Sequence, residues 1–178
     1  MPKIIEELKE TILAKTKEIL LSEGYDALTV RSVAKASGIA TGTVYNYFSS
    51  KDVMVASVML EDWIHALHRM QEAAEEAPDV IEGLRRMSGE IRTFSRQYSH
   101  TWEQYKAGAG AVIFIKERHR QLIGQLVELI ECLLKKHDCW KEAHLAEFLA
   151  ENLLARSQQG EEAFEMMVPI LQKLLQSE

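Results

Sequence analysis

The stretch that decides the fold reads Leu28-Thr29-Val30-Arg31-Ser32-Val33-Ala34-Lys35-Ala36-Ser37-Gly38-Ile39-Ala40-Thr41-Gly42-Thr43-Val44-Tyr45-Asn46-Tyr47-Phe48-Ser49-Ser50-Lys51. Thr29 stands where an N-cap belongs, ahead of barely two turns of helix that Gly38 stops. A second short helix reads from Thr41 to Phe48, and Ser50 caps a third, with Asp52 in its first turn to complement the helix dipole. Two helices this short cannot stand apart. They persist only by packing on each other and on the helix before them. Ala34 lets the second cross closely, Gly38 permits the left-handed backbone of a tight turn, and Ile39 and Val44 supply the apolar contacts that pin it. This spacing is what a helix-turn-helix requires mechanically.

The outer face of the second helix carries Thr41, Gly42, Thr43, Tyr45, Asn46 and Tyr47, all small or hydrogen-bonding and none acidic. Small residues let backbone and hydroxyls come close to phosphates and thymine methyls; Asn reads adenine edges and Tyr hydroxyls reach phosphates. The helix starts at Thr29 and Ser50 offer N–H groups to further phosphates. From Ala27 to Lys51 the chain has Arg31, Lys35 and Lys51 and no acidic side chain. The formal net charge is −6, from 21 Lys and Arg against 27 Asp and Glu, of which seven and six fall in residues 1–51. An acid-free stretch on an acidic protein is where a polyanion approaches.

This run, with Glu23-Gly24-Tyr25 ahead of it and Ser50-Lys51-Asp52 opening the next helix, resembles the signature of the TetR family of bacterial transcriptional regulators. The likeness covers about residues 10–60, and its most diagnostic part is Gly-x-x-x-Gly-Thr-x-Tyr-x-Tyr-Phe followed by Ser-Lys. Beyond it the chain is similar only in layout. The resemblance implies that Thr29 caps its helix and touches a phosphate. It implies that Thr41, Thr43, Tyr45, Asn46 and Tyr47 face DNA, with Thr43 and Tyr47 mainly on the backbone. Lys51 would meet a phosphate, and Arg31 and Gly42 complete the expected DNA-binding set. Val33, Ala34, Ile39, Val44 and Phe48 would form the small core beneath. The chain departs from the family pattern at Ala40, where Ser or Thr is frequent, and at Thr41, where a basic residue is frequent; both changes weaken the expected phosphate contacts.

Elsewhere the 178 residues are 47% hydrophobic, rich in helix formers, with three prolines and nine glycines. Apolar residues at helical spacing mark a first helix from Lys3 to about Ser22, closed by Gly24. A long helix runs to about Glu76, and Pro78 breaks it. Val80, Leu84, Met87, Ile91, Phe94 and Tyr98 alternate steps of four and three along a helix from Asp79 to about Ser99. Thr101 to Gly110 reads as irregular or as a short turn. A strongly apolar helix spans about Ala111–Lys136, and two last helices run from about Lys141 to Ser157 and Glu161 to Gln176. Pro169 should kink or split the last. The expectation is an all-α fold of about nine helices, with a helix-turn-helix head over residues 1–51 and a ligand-sensing and dimerisation body over 52–178.

Within the body, Trp63, Met87, Phe94, Tyr98, Trp102, Tyr105 and Phe114 suggest an apolar, aromatic-lined cavity for a hydrophobic effector, since similar proteins enclose their inducers in these helices. Core packing explains each singly. The terminal helices carry apolar faces at Leu145, Phe148, Leu149, Asn152 and Leu153, then Phe164, Met167, Ile170, Leu171 and Leu174. Paired about a two-fold axis they would form a four-helix interface.

No cofactor, metal or catalytic set is expected. Lys106-Ala-Gly-Ala-Gly-Ala lacks a phosphate-loop spacing, and Ser and Thr appear without a nucleophile elbow. His65, His68 and Glu61, and the group Cys132, His137 and Cys139, are weak ligand spacings. No signal peptide or membrane span is expected, and the two cysteines read as reduced thiols, which places the chain in the cytoplasm. The function expected is a TetR-like regulator, a repressor by the family's usual sign, that binds a palindromic double-stranded operator as a homodimer and leaves it on binding a small molecule. The alternative is a TetR-like coactivator or adaptor acting through a protein partner. Effector, operator and regulated genes lie beyond the sequence.

Overall fold

A computed structural model describes residues 6–106, 111–139, 144–157 and 159–176, without the side chains of 102, 103, 105, 106, 111–118 and 176. The described residues contain no strand. Their helical segments are α1 (Glu6–Glu23), α2 (Val30–Ala36), α3 (Thr41–Tyr47), α4 (Lys51–Glu76), α5 (Val80–Lys106), α6 (Ala111–Lys136), α7 (Leu145–Arg156), α8 (Glu162–Glu165) and α9 (Val168–Gln176). The all-α expectation holds. The marked departure in extent is α5, which runs past Ser99 to Lys106. Tertiary contact supports those extra turns: Thr101 is buried and Gln104 donates a hydrogen bond to Asp26. Pro169 splits the final helix. It is the second residue of α9, where an amide would have had no partner inside the helix, and the Ile170 and Leu171 amides both bond the Met167 carbonyl at 2.9 Å.

The chain divides into two compact units, Met1–Trp63 with Gln97–Ala111, and Ile64–Arg96 with Val112–Glu178. In the first, α1 buries Ile12, Leu13, Thr16, Ile19 and Leu20, the one-sided stripe that a 3.6-residue period produces. Met54, Val55, Val58 and Trp63 of α4 join this unit's core with Tyr98 of α5. Asp62 ties three helices together there. Its carboxylate accepts from Lys17 of α1 at 2.5 Å and from Gln97 and Tyr98 of α5 at 2.6 and 2.5 Å. Burial would raise the Asp62 pKa, but these donors outweigh it and hold the carboxyl below its ordinary value. Burial and the neighbouring carboxylate push the Tyr98 phenol far up, so it stays a donor.

In the second unit, Val80, Leu84, Met87 and Ile91 of α5 are buried, as their spacing requires. The side chain of Asp79 accepts from the Glu82 amide at 2.8 Å and caps the start of α5. Gly83 lets α6 approach: a Cβ there would lie 2.6 Å from Leu133 Cδ2. Lys136, in the last turn of α6, closes the carbonyl end of α4. Its ammonium donates to the Ala74, Glu75 and Ala77 carbonyls at 3.2, 2.5 and 3.2 Å. A cation satisfying the last carbonyls of a helix also meets the negative end of its dipole. Asp138 ends α6 in the left-handed conformation (φ 55°), with the Cys139 amide on the Leu134 carbonyl.

Replacing Asp62 by Asn removes a charge that Lys17 and Tyr98 both use. Urea unfolding at pH 7 should show a loss of about 2 kcal/mol. A carboxyl whose folded pKa is depressed stabilises above its unfolded pKa and loses that contribution as pH falls through the folded value. The gap between wild type and Asp62→Asn should therefore narrow below about pH 4.

Candidate nucleic-acid interface

The helix-turn-helix is assembled from short-range bonds that its sequence dictates. Thr29 caps α2 in a capping box: its hydroxyl accepts from the Ser32 amide at 2.9 Å, and the Ser32 hydroxyl accepts from the Thr29 amide at 2.9 Å. At the other end of α2, Gly38 adopts φ +67°. The Gly38 amide bonds the Lys35 carbonyl at 3.3 Å, and the Ile39 amide bonds the Ala34 carbonyl at 3.0 Å. This pair is a Schellman closure, which satisfies the orphan carbonyls of α2 and turns the chain toward α3. Beneath the turn Val33, Ala34, Val44 and Phe48 are buried, and Ile39 is half-buried. Ala40 caps α3 through its carbonyl alone, with no side-chain bond to the amides of the first turn.

The face that α3 turns outward is the one read from the sequence. Thr41, Gly42, Tyr45 and Asn46 are exposed, and Thr43 and Tyr47 are half-buried. Tyr45 has 54% of its surface open, which is unusual for a large ring that no core position needs. Thr29 and Arg31 are exposed at the start of α2, and Lys51 is half-buried at the start of α4. Ser50 caps α4 by accepting from the Val53 amide at 3.2 Å. Small groups, an amide-bearing helix start and hydroxyls on the acid-free outer face of α3 suit the phosphate backbone and groove edges of a duplex.

Residues 12–58 match the family of bacterial regulatory proteins described as the tetR family. The chain is 24% identical to the HTH-type transcriptional regulator UidR of Escherichia coli over 164 residues, 92% of this chain and 74% of that one. It is 32% identical to the fatty acid metabolism regulator protein of Bacillus subtilis over 73 residues, 41% of this chain and 38% of that one. In fold it is similar to Salmonella enterica GusR, with a TM-score of 0.73, 17% identity and 99% of both chains covered. FadR from Bacillus subtilis, solved in complex with stearoyl-CoA, gives a TM-score of 0.62 at 17% identity, covering 94% of this chain and 98% of that one.

The chain carries the helix-turn-helix region of the TetR family at residues 12–58. It is a DNA-binding transcriptional regulator of the helix-turn-helix type.

The other residues that the TetR likeness singles out are placed less uniformly. Trp102, Tyr105 and Phe114 lie outside the residues whose side chains are described. Trp63 and Tyr98 are buried in the first unit, while Met87 is buried and Phe94 half-buried in the second. The second unit has an open cleft of about 460 Å³ beside Pro78, Ile81, Arg85, Arg86 and Val168, and none of the seven expected pocket residues lines it. Its two arginines are engaged by acids: Glu82 accepts from both, at 2.6 and 2.9 Å, and Glu165 accepts from Arg85 at 2.8 Å. Of the expected interface residues, Phe148, Ile170 and Leu174 are exposed, and Leu145 and Asn152 are half-buried. Leu149, Leu153, Phe164, Met167 and Leu171 are buried inside their own chain, so they support the exposed face from below. Met166 is 72% exposed and lies off the helical stripe read through Pro169, which is why the sequence reading does not include it. Cys132 is exposed and Cys139 half-buried, both as free thiols. No described helix is long and apolar enough to cross a membrane.

One partner within the interface is not apparent from residue spacing. The Lys51 ammonium lies 3.7 Å from the centre of the Tyr25 ring. The Tyr25 hydroxyl in turn donates to Asp52. Desolvation lowers the Lys51 pKa, while Asp26 and Asp52 act against that shift. The only foreshadowing was the Gly24-Tyr25 pair ahead of the motif; the ring–cation contact joins the α1–α2 loop to the start of α4, which no local periodicity encodes.

The two glycines of the motif should respond oppositely to alanine. Neither Cβ would meet an atom within 4 Å, but only Gly38 has a positive φ. Gly38→Ala should cost about 1–2 kcal/mol through backbone strain alone. Gly42→Ala, inside a helix, should leave stability unchanged or raise it by up to about 1 kcal/mol. Thermal unfolding followed by circular dichroism distinguishes the two.

Proposed function

We propose that this regulator is a repressor that binds a palindromic operator as a homodimer and is released from it by an apolar or aromatic small molecule. The observation that carries the operator reading is the exposed, acid-free face of α3, with Tyr45 standing out from it and Thr29, Arg31 and Lys51 around it. Residues 1–51 act as the DNA-contacting head, and residues 52–178 as the sensing and dimerising body. The dimer reading rests on Phe148, Met166, Ile170 and Leu174, large apolar side chains 44–72% exposed near the end of the chain. Such a cluster is an aggregation liability in a monomer and suits a two-fold, self-complementary contact. Two heads related by that axis would meet successive major-groove faces of a palindrome.

The effector class is inferred from the aromatic and Met residues of α4 and α5, and it agrees in kind with the long acyl chain bound in the Bacillus subtilis FadR structure. An effector lowers operator affinity only if it binds the DNA-incompetent arrangement more tightly than the competent one. The helices α4 and α5 each contribute residues to both compact units, so they are the continuous elements along which such a preference acts.

Fluorescence anisotropy against the DNA upstream of the protein's own gene tests this reading. Binding should weaken steeply with salt. Lys51→Ala should lower the slope of log K against log salt by about one unit. Tyr45→Ala should cut affinity about tenfold or more. Binding no stronger than to random DNA, with both substitutions silent, would instead favour an adaptor that acts through a protein partner.

Ile170→Glu combined with Leu174→Glu should turn the dimer into a monomer in sedimentation equilibrium. The helical circular dichroism should survive, because neither side chain is part of the chain's own core. A dimer that persists in this variant places the contact elsewhere.

A further inference from the structure

Asp26, in the turn between α1 and α2, belongs to a chain of contacts that ends at Lys51. Gln104, near the end of α5, donates from Nε2 to Asp26 Oδ2 at 2.9 Å. The other amide atom of Gln104, its Oε1, is buried without a hydrogen-bond partner, so this side chain is held for a single bond. One residue before Asp26, the Tyr25 ring carries the Lys51 ammonium on its face. Tyr25 donates its hydroxyl to Asp52, the first acid of α4. Asp26 acts on Lys51 through its charge, yet neither Asp26 nor Asp52 closes an ion pair on the ammonium among the described residues. A lysine between two carboxylates would ordinarily collapse onto one of them. Here the ring holds the ammonium and Gln104 holds the loop carboxylate.

We propose that Asp26 is an intramolecular competitor of DNA phosphate for Lys51, and that Gln104 positions Asp26 away from it. The proposal rests on the operator reading above, in which Lys51 meets a phosphate. While Gln104 keeps its bond, the ammonium rests on Tyr25 and is available to an oxyanion. When that bond is lost, the Asp26 carboxylate swings to Lys51, neutralises it and lowers affinity for DNA. Gln104 is carried by α5, the helix whose earlier turns belong to the other compact unit, so a shift or fraying of its last turns acts directly on the DNA-facing corner. Gln104 and Asp26 are positioning residues and make no DNA contact themselves.

The test is epistasis in operator binding by the full-length chain, read as anisotropy with the upstream DNA of its own gene. Gln104→Leu should weaken binding about threefold to tenfold, whereas Asp26→Asn alone should change it little, because Gln104 already holds that carboxylate off Lys51. In the double variant Asp26→Asn should abolish the effect of Gln104→Leu. In a Lys51→Ala background both substitutions should be nearly silent. A general electrostatic effect of Asp26 on DNA would survive in that background and overturn the proposal, as would additive single effects. Thermal unfolding of each variant separates a misfolded head from a repositioned lysine, and Gln104→Asn, too short to keep the bond, should behave as Gln104→Leu does. Wild type that fails to bind, or Lys51→Ala that binds as wild type, would sink the operator reading itself. Normal loss in Lys51→Ala without a loss in Gln104→Leu that Asp26→Asn reverses would sink the competitor alone.

Discussion

Two helices of seven residues cannot be stable on their own hydrogen bonds, and everything that the head does depends on how they are closed against each other. The closure is the left-handed turn at Gly38. It sends the Ile39 amide back to Ala34, and Val33, Ala34 and Val44 on the two helices are all buried. Without positive φ at one residue, α3 would leave α2 at a different angle and its outer face would no longer be a single surface. The Thr29–Ser32 capping box fixes the opposite end of α2. Between these two closures α2 has no freedom left to slide, so the exposed residues of α3 are held by backbone bonds and not by their own side chains. That arrangement leaves Tyr45, Asn46 and Thr41 available for something outside the chain.

A second constraint concerns helices too long to belong to one core. α4 and α5 each start in one compact unit and finish in the other. In the first unit their junction with α1 is electrostatic: Asp62 gathers Lys17, Gln97 and Tyr98 around a carboxylate that is largely removed from water. A partly buried charge with several donors is directional, whereas the apolar contacts around it tolerate sliding. In the second unit the end of α4 is capped by Lys136 in a similar way. Each long helix is thus clamped at defined points by charged or polar groups.

Legibility followed the range of the interaction that shaped each element. α2, α3, the start of α4 and the buried stripe of α5 were readable because caps, turns and periodicity act within about seven residues. The exposed face of α3 was readable for the same reason: once Val44 and Phe48 point inward, helical geometry assigns the others. The last turns of α5 were misjudged, since Thr101 to Lys106 have poor local periodicity and are held by burial of Thr101 and by the Gln104 bond to a residue 78 positions away. The terminal helices were half readable. Most of their large apolar residues were identified, though not Met166, but a stripe does not reveal which members face the chain's own core, as Leu149, Leu153 and Leu171 do, and which stand in solvent, as Phe148 and Ile170 do.

By itself the sequence determined an all-helical chain, a helix-turn-helix at its front and the residues that this motif presents, because each of these depends on local hydrogen bonding and on the 3.6-residue period. The tertiary structure alone decided which distant side chains meet: Lys51 on the Tyr25 ring, Gln104 on Asp26, Asp62 among three helices, and Pro169 as a break and not a bend. Those contacts join residues far apart in the chain, and their partners are selected by where whole helices come to rest. No spacing along the sequence records that.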